Sequence, residues 1–369
     1  MFIKELILTN FKNYPSQNFS FVDGLNFLVG NNGAGKTNVL DAIHLLCFTK
    51  SHFNNVDADL ILYNTDFFRV ESTFSSQEMD HHIAISMLRN KRKNIVLDTK
   101  PYKKLSDHIG VLPCVIIAPG DQVIITGGSE ERRKLFDTTL CQTDKSYLKA
   151  LILYNEVLDQ RNAMFKQLSS QHKIVDKALV TIYNQQLVEY GELIFLKRIT
   201  AMIEIEALFQ DYYHRLASKD ENISLSYSSH LLENDFATLL NQNLEKDMLL
   251  EYTTKGIHKD DLKILIADNA AKKFASQGQQ KSFLIAIKFA LLMYITTRNQ
   301  TKPIFLIDDL FDKLDYNRCI NLIAILQEKE FGQIFLTDTD IDRINKLFSR
   351  STKNARIYLV NNNESKIVT

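Results

Sequence analysis

The sequence predicts an α/β layer with a parallel sheet, interrupted by a long helical insert. Three stretches carry that prediction. FLVGNNGAGKTNVLDAIHLL (27–46) runs from a short apolar strand through a glycine-rich turn into a helix. Residues 173–218 hold no proline and a single glycine, Gly191, and apolar residues recur there at helical spacing. PIFLIDD (303–309) is an apolar run that ends in two aspartates. Strands alternating with helices on both sides of a helical middle put two halves of one sheet far apart in the chain.

The elements follow in order. FIKELIL (2–8), LNFLV (25–29), FFRVESTF (67–74), HHIAISML (81–88) and NIVLD (94–98) mix β-branched and aromatic residues with partial alternation and read as strands. RNKRKN (89–94) reads as a hairpin turn. PCVIIA (113–118) is a buried strand closed by Pro119-Gly120. From Ser129 to about Ser218 the chain is helical, and no strict heptad persists, so a packed helical arm is expected rather than a long coiled coil. ISLSYSS (223–229) is a strand, and a helix continues to Leu249. LKILIAD (262–268) is the next strand, and a helix starts near Gln277. After PIFLIDD come a helix over 317–328 and the strands QIFLT (333–337) and ARIYLV (355–360). The expected domains are 1–128, 129–255 and 256–369. The first is a lobe with the glycine-rich loop and antiparallel strands, the second a helical arm, and the third the segment that returns to the first lobe.

Bulk properties exclude several classes. The 369 residues carry zero formal net charge, so a nucleic-acid partner cannot be argued from overall charge and any basic face must be local. The four cysteines, Cys47, Cys114, Cys141 and Cys319, show no C-x-x-C spacing and no zinc pattern, which fits a reducing cytoplasm. The N-terminus carries Lys4 and Glu5 inside its apolar stretch and does not read as a signal peptide. The longest apolar run, 282–295, is interrupted by Lys288 and is too short for a bilayer, so it reads as a buried helix.

Gly30, Gly35, Lys36 and Thr37 fit G-x-x-x-x-G-K-[ST], a loop whose backbone wraps phosphate at a helix N-terminus. Residues 30–38 (Gly30, Asn31, Asn32, Gly33, Ala34, Gly35, Lys36, Thr37, Asn38) are therefore candidate nucleotide contacts. Lys36 would reach the β and γ phosphates of ATP, and Thr37 would bind Mg²⁺. Asp308, ending a buried strand, is the expected Mg²⁺ partner of Thr37. Asp309 stands where a general base or water-orienting group could sit; it could equally cap the following turn, and on a continuing strand it would face away from Asp308. Ser276 and Gly278, in ASQGQQKSF, precede an apolar helix as an N-cap and a close-approach position, which alone would be an ordinary capped helix.

The order of glycine-rich loop, helical insert, S-x-G-Q, D-D strand and L-D resembles the ABC-type ATPase heads of the SMC-like group. Within that group the chain resembles the RecF family, bacterial recombination mediators acting at DNA gaps. LTNFKNY (8–14), PGDQVIITGGSEERRKLFD (119–137), YNEVLDQRN (154–162), GIHKDDL (256–262) and FLTDTD (335–340) carry that resemblance. It implies a head-to-head homodimer with ATP between the glycine-rich loop of one chain and Ser276, Gly278 and Gln279 of the other. Asp315 would approach the partner's loop, and Lys12 would join the nucleotide contacts. It further implies slow, DNA-stimulated ATP hydrolysis, binding to single-/double-strand junctions, help in recombinase loading, and RecR and RecO as partners. Three features depart from ABC transporters. Asp309 replaces the usual glutamate, Thr337 and Asp338 occupy the switch-histidine region, and Gln122 is a poor counterpart of the Q-loop glutamine.

Between residues 81 and 110 there are seven Lys or Arg against two Asp. Arg89, Lys91, Arg92 and Lys93 at the turn are candidate DNA contacts, and a merely solvated hairpin is an equal reading. Arg132, Arg133 and Lys134 are a second candidate, offset by Glu130 and Glu131. His258, with Asp260 and Asp261, is expected to hold its own loop. A transporter motor subunit, a small-molecule kinase and a DNA clamp with a silent ATP site are competing readings of the same loop.

Overall fold

The computed structural model describes residues 1–77, 79–171, 177–217, 221–311, 315–348, 354–361 and 364–368. Two compact units emerge. One comprises Met1–Asp121, Tyr212–Ser218 and Gln277–Thr369; the other comprises Gln122–Asp211 and Lys219–Ser276.

The first unit opens with β1 (Phe2–Phe11), β2 (Tyr14–Ser20), β3 (Leu25–Val29) and α1 (Lys36–Phe48). Then come β4 (Phe67–Ser76), β5 (Met79–Leu88), β6 (Asn94–Leu97), β7 (Lys100–Pro101) and β8 (Cys114–Ile117). The second unit holds α2 (Val123–Thr126), α3 (Ser129–Thr143), α4 (Lys145–Gln171), α5 (Lys177–Ala217), β9 (Ile223–Ser228), α6 (Phe236–Gln242), α7 (Leu244–Leu250), β10 (Asp261–Ile266), β11 (Asn269–Ala270) and α8 (Ala271–Phe274). The last residues of α5 count with the first unit. That unit resumes with α9 (Gln277–Asn299), β12 (Ile304–Ile307), α10 (Tyr316–Leu326), β13 (Ile334–Asp338), α11 (Ile341–Phe348), β14 (Ala355–Asn361) and β15 (Glu364–Ile367).

Two six-stranded sheets build the first unit. One, in the order β15-β14-β3-β13-β12-β8, is parallel from β14 to β8, and its strands β3, β13, β12 and β8 are buried along their whole length because both faces are covered. The other, β2-β1-β4-β5-β6-β7, is antiparallel and alternates along β4 between buried Phe68, Val70 and Phe74 and exposed Phe67 and Arg69. Helix α1 packs against strands of both sheets, which is why it is buried almost all round. Helix α9 is the apolar run read from the sequence. Its one interior cation, Lys288, is buried and neutralised by Asp121 at 2.7 Å, and it donates to the Ile116 carbonyl at 2.6 Å.

Three details differ from the sequence reading. The expected helix ending at Leu249 is two helices, broken at Asn243, whose side-chain amide donates to the Leu239 carbonyl at 2.8 Å and competes with the helix ladder. Strands β2, β7, β11 and β15 and helices α2, α8 and α11 lie where the sequence alone predicts no element. The second compact unit runs on to Ser276, past the expected boundary near 255, because β10 pairs antiparallel with β9 from Asp261↔Ser228 to Ile266↔Ile223.

Candidate nucleotide-binding site

A cleft of about 290 Å³ opens at the C-terminal edge of the parallel sheet, lined by residues of the loop after β3, by Pro119 after β8, by Asp308 and Asp309 after β12, and by Thr337 and Thr339 at the end of β13. This is the edge where open α/β sheets take ligands. The loop reaches it in a conformation that requires its glycines. Gly35 has φ +110°, and a Cβ there would lie 2.7 Å from Tyr14 Oη. A Cβ on Gly30 would lie 2.1 Å from the Val360 carbonyl oxygen of β14. The first amides of α1 have no intrahelical acceptor and face the anion-favouring end of the helix.

Lys36 bends back over this loop. Its Nζ donates to the carbonyls of Gly30 at 2.6 Å and Asn31 at 2.9 Å. Burial lowers its pKa, and the charges of Asp308, Asp309 and Asp338 oppose that shift. Thr37 Oγ1 is 3.0 Å from Asp308 Oδ1, as the motif pair requires. Burial raises the Asp308 pKa, against the hydroxyls of Thr337 and Thr37. Strand β12 stops at Ile307, so the alternation of a continuing strand does not apply. Asp309 takes φ 48° and lines the same cleft as Asp308. Aspartate tolerates that left-handed conformation better than most residues.

Thr337 was missed as a site residue. Its hydroxyl donates to Asp308 Oδ1 at 2.7 Å and accepts from the Asp309 amide at 3.0 Å, so one side chain orients both aspartates. The available signal is a polar residue at the end of a buried apolar strand, FLTDTD, which in the sequence serves as a family mark and as the region where the transporter switch histidine is replaced.

The structure does not bring every candidate to the cleft. Lys12 Nζ pairs with the buried Asp41 at 2.6 Å and lies over the Phe53 ring, and Lys12 is not among the lining residues. Gly278 and Gln279 belong to the same compact unit and do not line the cleft either. Both sit in the first turn of α9, rather than before it, while Ser276 immediately precedes the helix and is exposed. Leu314 of the L-D step lies outside the described residues. Asp315 caps α10, accepting from the Arg318 amide at 3.0 Å.

At the hairpin turn, Arg89, Lys91 and Arg92 are exposed. Lys93 is not a free cation: its Nζ donates to the Thr49 carbonyl at 2.6 Å and pairs with Asp57 at 2.7 Å. Lys93→Ala should therefore leave any DNA affinity within about twofold, at a stability cost of about 1 kcal/mol for the lost hydrogen bonds. A filter-binding titration and a thermal melt check both; a large affinity loss with an unchanged melt would reverse the assignment.

Arg132 and Arg133 are also committed, within the second unit. Arg132 Nε and Nη2 grip Asp261 at 2.8 and 3.1 Å, and Arg133 donates to the Asp260 carbonyl at 2.6 Å. They are anchors and not a basic patch. His258 is structural as expected. Burial pushes its pKa down to about 4, so the ring is neutral; Nε2–H donates to the Thr253 carbonyl and Nδ1 accepts from Tyr154.

The comparisons agree with this geometry. A family model of the RecF/RecN/SMC N terminal domain matches residues 2–366. The DNA replication and repair protein RecF of Flavobacterium johnsoniae is 40% identical over 358 residues, covering 97% of this chain and 99% of that protein. The chain belongs to the RecF family. RecF of Cytophaga hutchinsonii is 38% identical over 360 residues, covering 98% of this chain and 95% of its own. A solved structure of the recombination mediator protein RecF with ATPrS, in the RecFOR pathway, superimposes with a TM-score of 0.88 at 25% identity, covering 100% of this chain and 98% of that one. An SMC head bound to the C-winged helix domain of ScpA matches in fold, with a TM-score of 0.60 at 16% identity. The RecF resemblance and the ABC-type, SMC-like head are thus borne out. No described helix is long and apolar enough to cross a membrane.

Proposed function

We propose that the chain is an ATP-hydrolysing, DNA-binding protein of DNA replication and repair, in which ATP closes a homodimer on DNA. The observation that carries this reading is the convergence of Lys36, Thr37, Asp308, Asp309 and Thr337 on one cleft beside a phosphate-binding loop. A triphosphate in the loop would draw Lys36 Nζ from the Gly30 and Asn31 carbonyls to its β and γ oxygens. Thr37 and Asp308 offer hard oxygen donors that fit Mg²⁺, which takes one or two carboxylates and completes its shell with phosphate and water. When bound, the ion neutralises charge on the β and γ phosphates. Asp309 orients the attacking water. Its side chain is one methylene shorter than the glutamate of transporters, which favours slow turnover and use of hydrolysis as a timer.

The dimer reading is supported by the exposure of Ser276 and by the absence of Gly278 and Gln279 from the cleft of their own chain. The family resemblance places those residues against a second chain's nucleotide. Solved relatives placed in the RecFOR pathway support RecR and RecO as partners; gapped DNA as the target and the cytoplasm as the location rest on the family resemblance. Arg89, Lys91 and Arg92 are the DNA-facing candidates that remain.

Solution mass with ATP and Mg²⁺, with and without gapped DNA, tests the reading. A dimer that needs ATP and then retains DNA is expected; a monomer under every condition overturns it. Ser276→Arg should leave ATP affinity within about twofold, since an exposed site outside the loop is changed, and should abolish the ATP-dependent dimer by placing a long cation at the contact. Equal dimerisation by this variant removes Ser276 from the interface.

A further inference from the structure

The hairpin turn carries more than charge. Leu88 and Phe67 are directly paired across β4 and β5, on the outer face of the sheet, and both are exposed, at 57% and 40%. Arg69 follows Phe67 on the same face. The segment before β4 folds against this pair. The Arg89 amide donates to the Asp66 carbonyl at 2.7 Å, and its guanidinium donates to the Thr65 carbonyl at 3.0 Å. Thr65 closes a tight turn onto the Leu62 carbonyl at 3.1 Å, with Tyr63 and Asn64 at its corner. Tyr63 is 86% exposed. Lys91 and Arg92 have no side-chain partner among the described residues. Two aromatic rings and a leucine therefore stand exposed among three cations, with Asp66 the nearby exposed acid.

We propose that this tip binds unpaired bases of single-stranded DNA, with Arg89, Lys91 and Arg92 on the phosphates and Tyr63 and Phe67 as stacking surfaces. The inference rests on the DNA-binding reading above and narrows it. Cations alone suit any polyanion, including duplex, because every duplex presents phosphates. Exposed rings beside them suit only a strand whose base faces are free, since in a duplex those faces are stacked on one another. The surface is thus a means of distinguishing the single-stranded side of a junction without reading sequence. Stacking is tolerant of base identity, because every base offers a π-face.

The test uses the full chain with ATP and Mg²⁺ and three fluorescent probes: a short oligothymidylate, an abasic oligomer of the same length and a duplex. Tyr63→Ala/Phe67→Ala should weaken oligothymidylate binding roughly tenfold or more, the scale of one to two lost stacking contacts. Affinity for the abasic oligomer and the duplex should stay within about twofold. Arg92→Glu should weaken all three and lower the salt dependence by about one phosphate contact. Tyr63→Trp should retain oligothymidylate binding. Should the double variant melt early, Tyr63→Ala alone, at a side chain that is almost wholly in solvent, reads the same difference at about half the effect. Equal loss on all three probes by the aromatic variant, or no loss on any, overturns the stacking role while wild-type DNA binding stands. Wild-type protein that binds none of the probes overturns the DNA-binding reading itself, and this inference with it.

Discussion

Lys36→Ala is expected to lower ATP affinity on the order of a hundredfold and to abolish the ATP-dependent dimer, while leaving the fold intact. The charge-assisted hydrogen bonds of one lysine to phosphate are worth about 1.5–3 kcal/mol each, and each 1.4 kcal/mol is tenfold. The fold should survive because alanine is the best helix former and Lys36 is the first residue of α1, where its side chain serves the loop and not the core. Part of the loss has a second origin. Lys36 Nζ tethers the Gly30 and Asn31 carbonyls, so its removal also loosens the loop before any ligand arrives. Lys36→Met separates the two effects, since it keeps the stem and loses the donor. Equilibrium binding of a fluorescent ATP analogue, with light scattering for mass, reads both consequences. A variant that still dimerises with ATP sinks the proposal that nucleotide bridges two chains.

The parts of this site that the sequence discloses are those whose chemistry is contiguous. Gly30, Gly35, Lys36 and Thr37 lie within eight positions, and their spacing is fixed by one loop and one helix turn. Asp308 is legible because a buried strand seldom ends in a carboxylate without a use for it. Thr337 is not legible in that way. Its role exists only because β13 lies parallel to β12 in the register Ile307↔Leu336, which carries its hydroxyl to within reach of Asp308. The reason for Gly30 is equally remote, since the carbonyl it must avoid belongs to Val360.

Charge was the least legible property. Lys93 and Arg92 are adjacent and look alike in the sequence, yet Lys93 is paired with Asp57 and Arg92 is exposed. Lys12 meets Asp41 in the same manner, and Arg132 meets Asp261 from far along the chain. A count of basic residues registers cations; only the fold decides which of them already have an anion. Here that sorting narrows the proposed nucleic-acid surface from a four-residue run to Arg89, Lys91 and Arg92, with Tyr63 and Phe67 beside them.

The same logic gives a large stability effect in the second unit. Arg198 of α5 is 2% exposed and is held by Asp137 at 2.8 Å and by Asp260 at 2.8 Å, and it donates to the Ile257 carbonyl and lies by the Tyr147 hydroxyl. Burial opposes its charge, but Asp137, Tyr147, Tyr227 and Asp260 together hold its pKa above the ordinary value. One guanidinium thus ties α3, α5 and the loop before β10. Arg198→Met should destabilise this unit by about 3–5 kcal/mol, because two carboxylates are left without their cation, one of them fully buried. Arg198→Met/Asp260→Asn should recover part of the loss, since it removes one of those stranded charges. Calorimetry on the full chain measures both, and ATP affinity in the first unit should stay within about twofold. A single variant as stable as wild type would mean that the cluster is replaceable by packing alone. A double variant no better than the single would mean that the cost lies in lost hydrogen bonds to Ile257 and Tyr147 and not in unpaired charge.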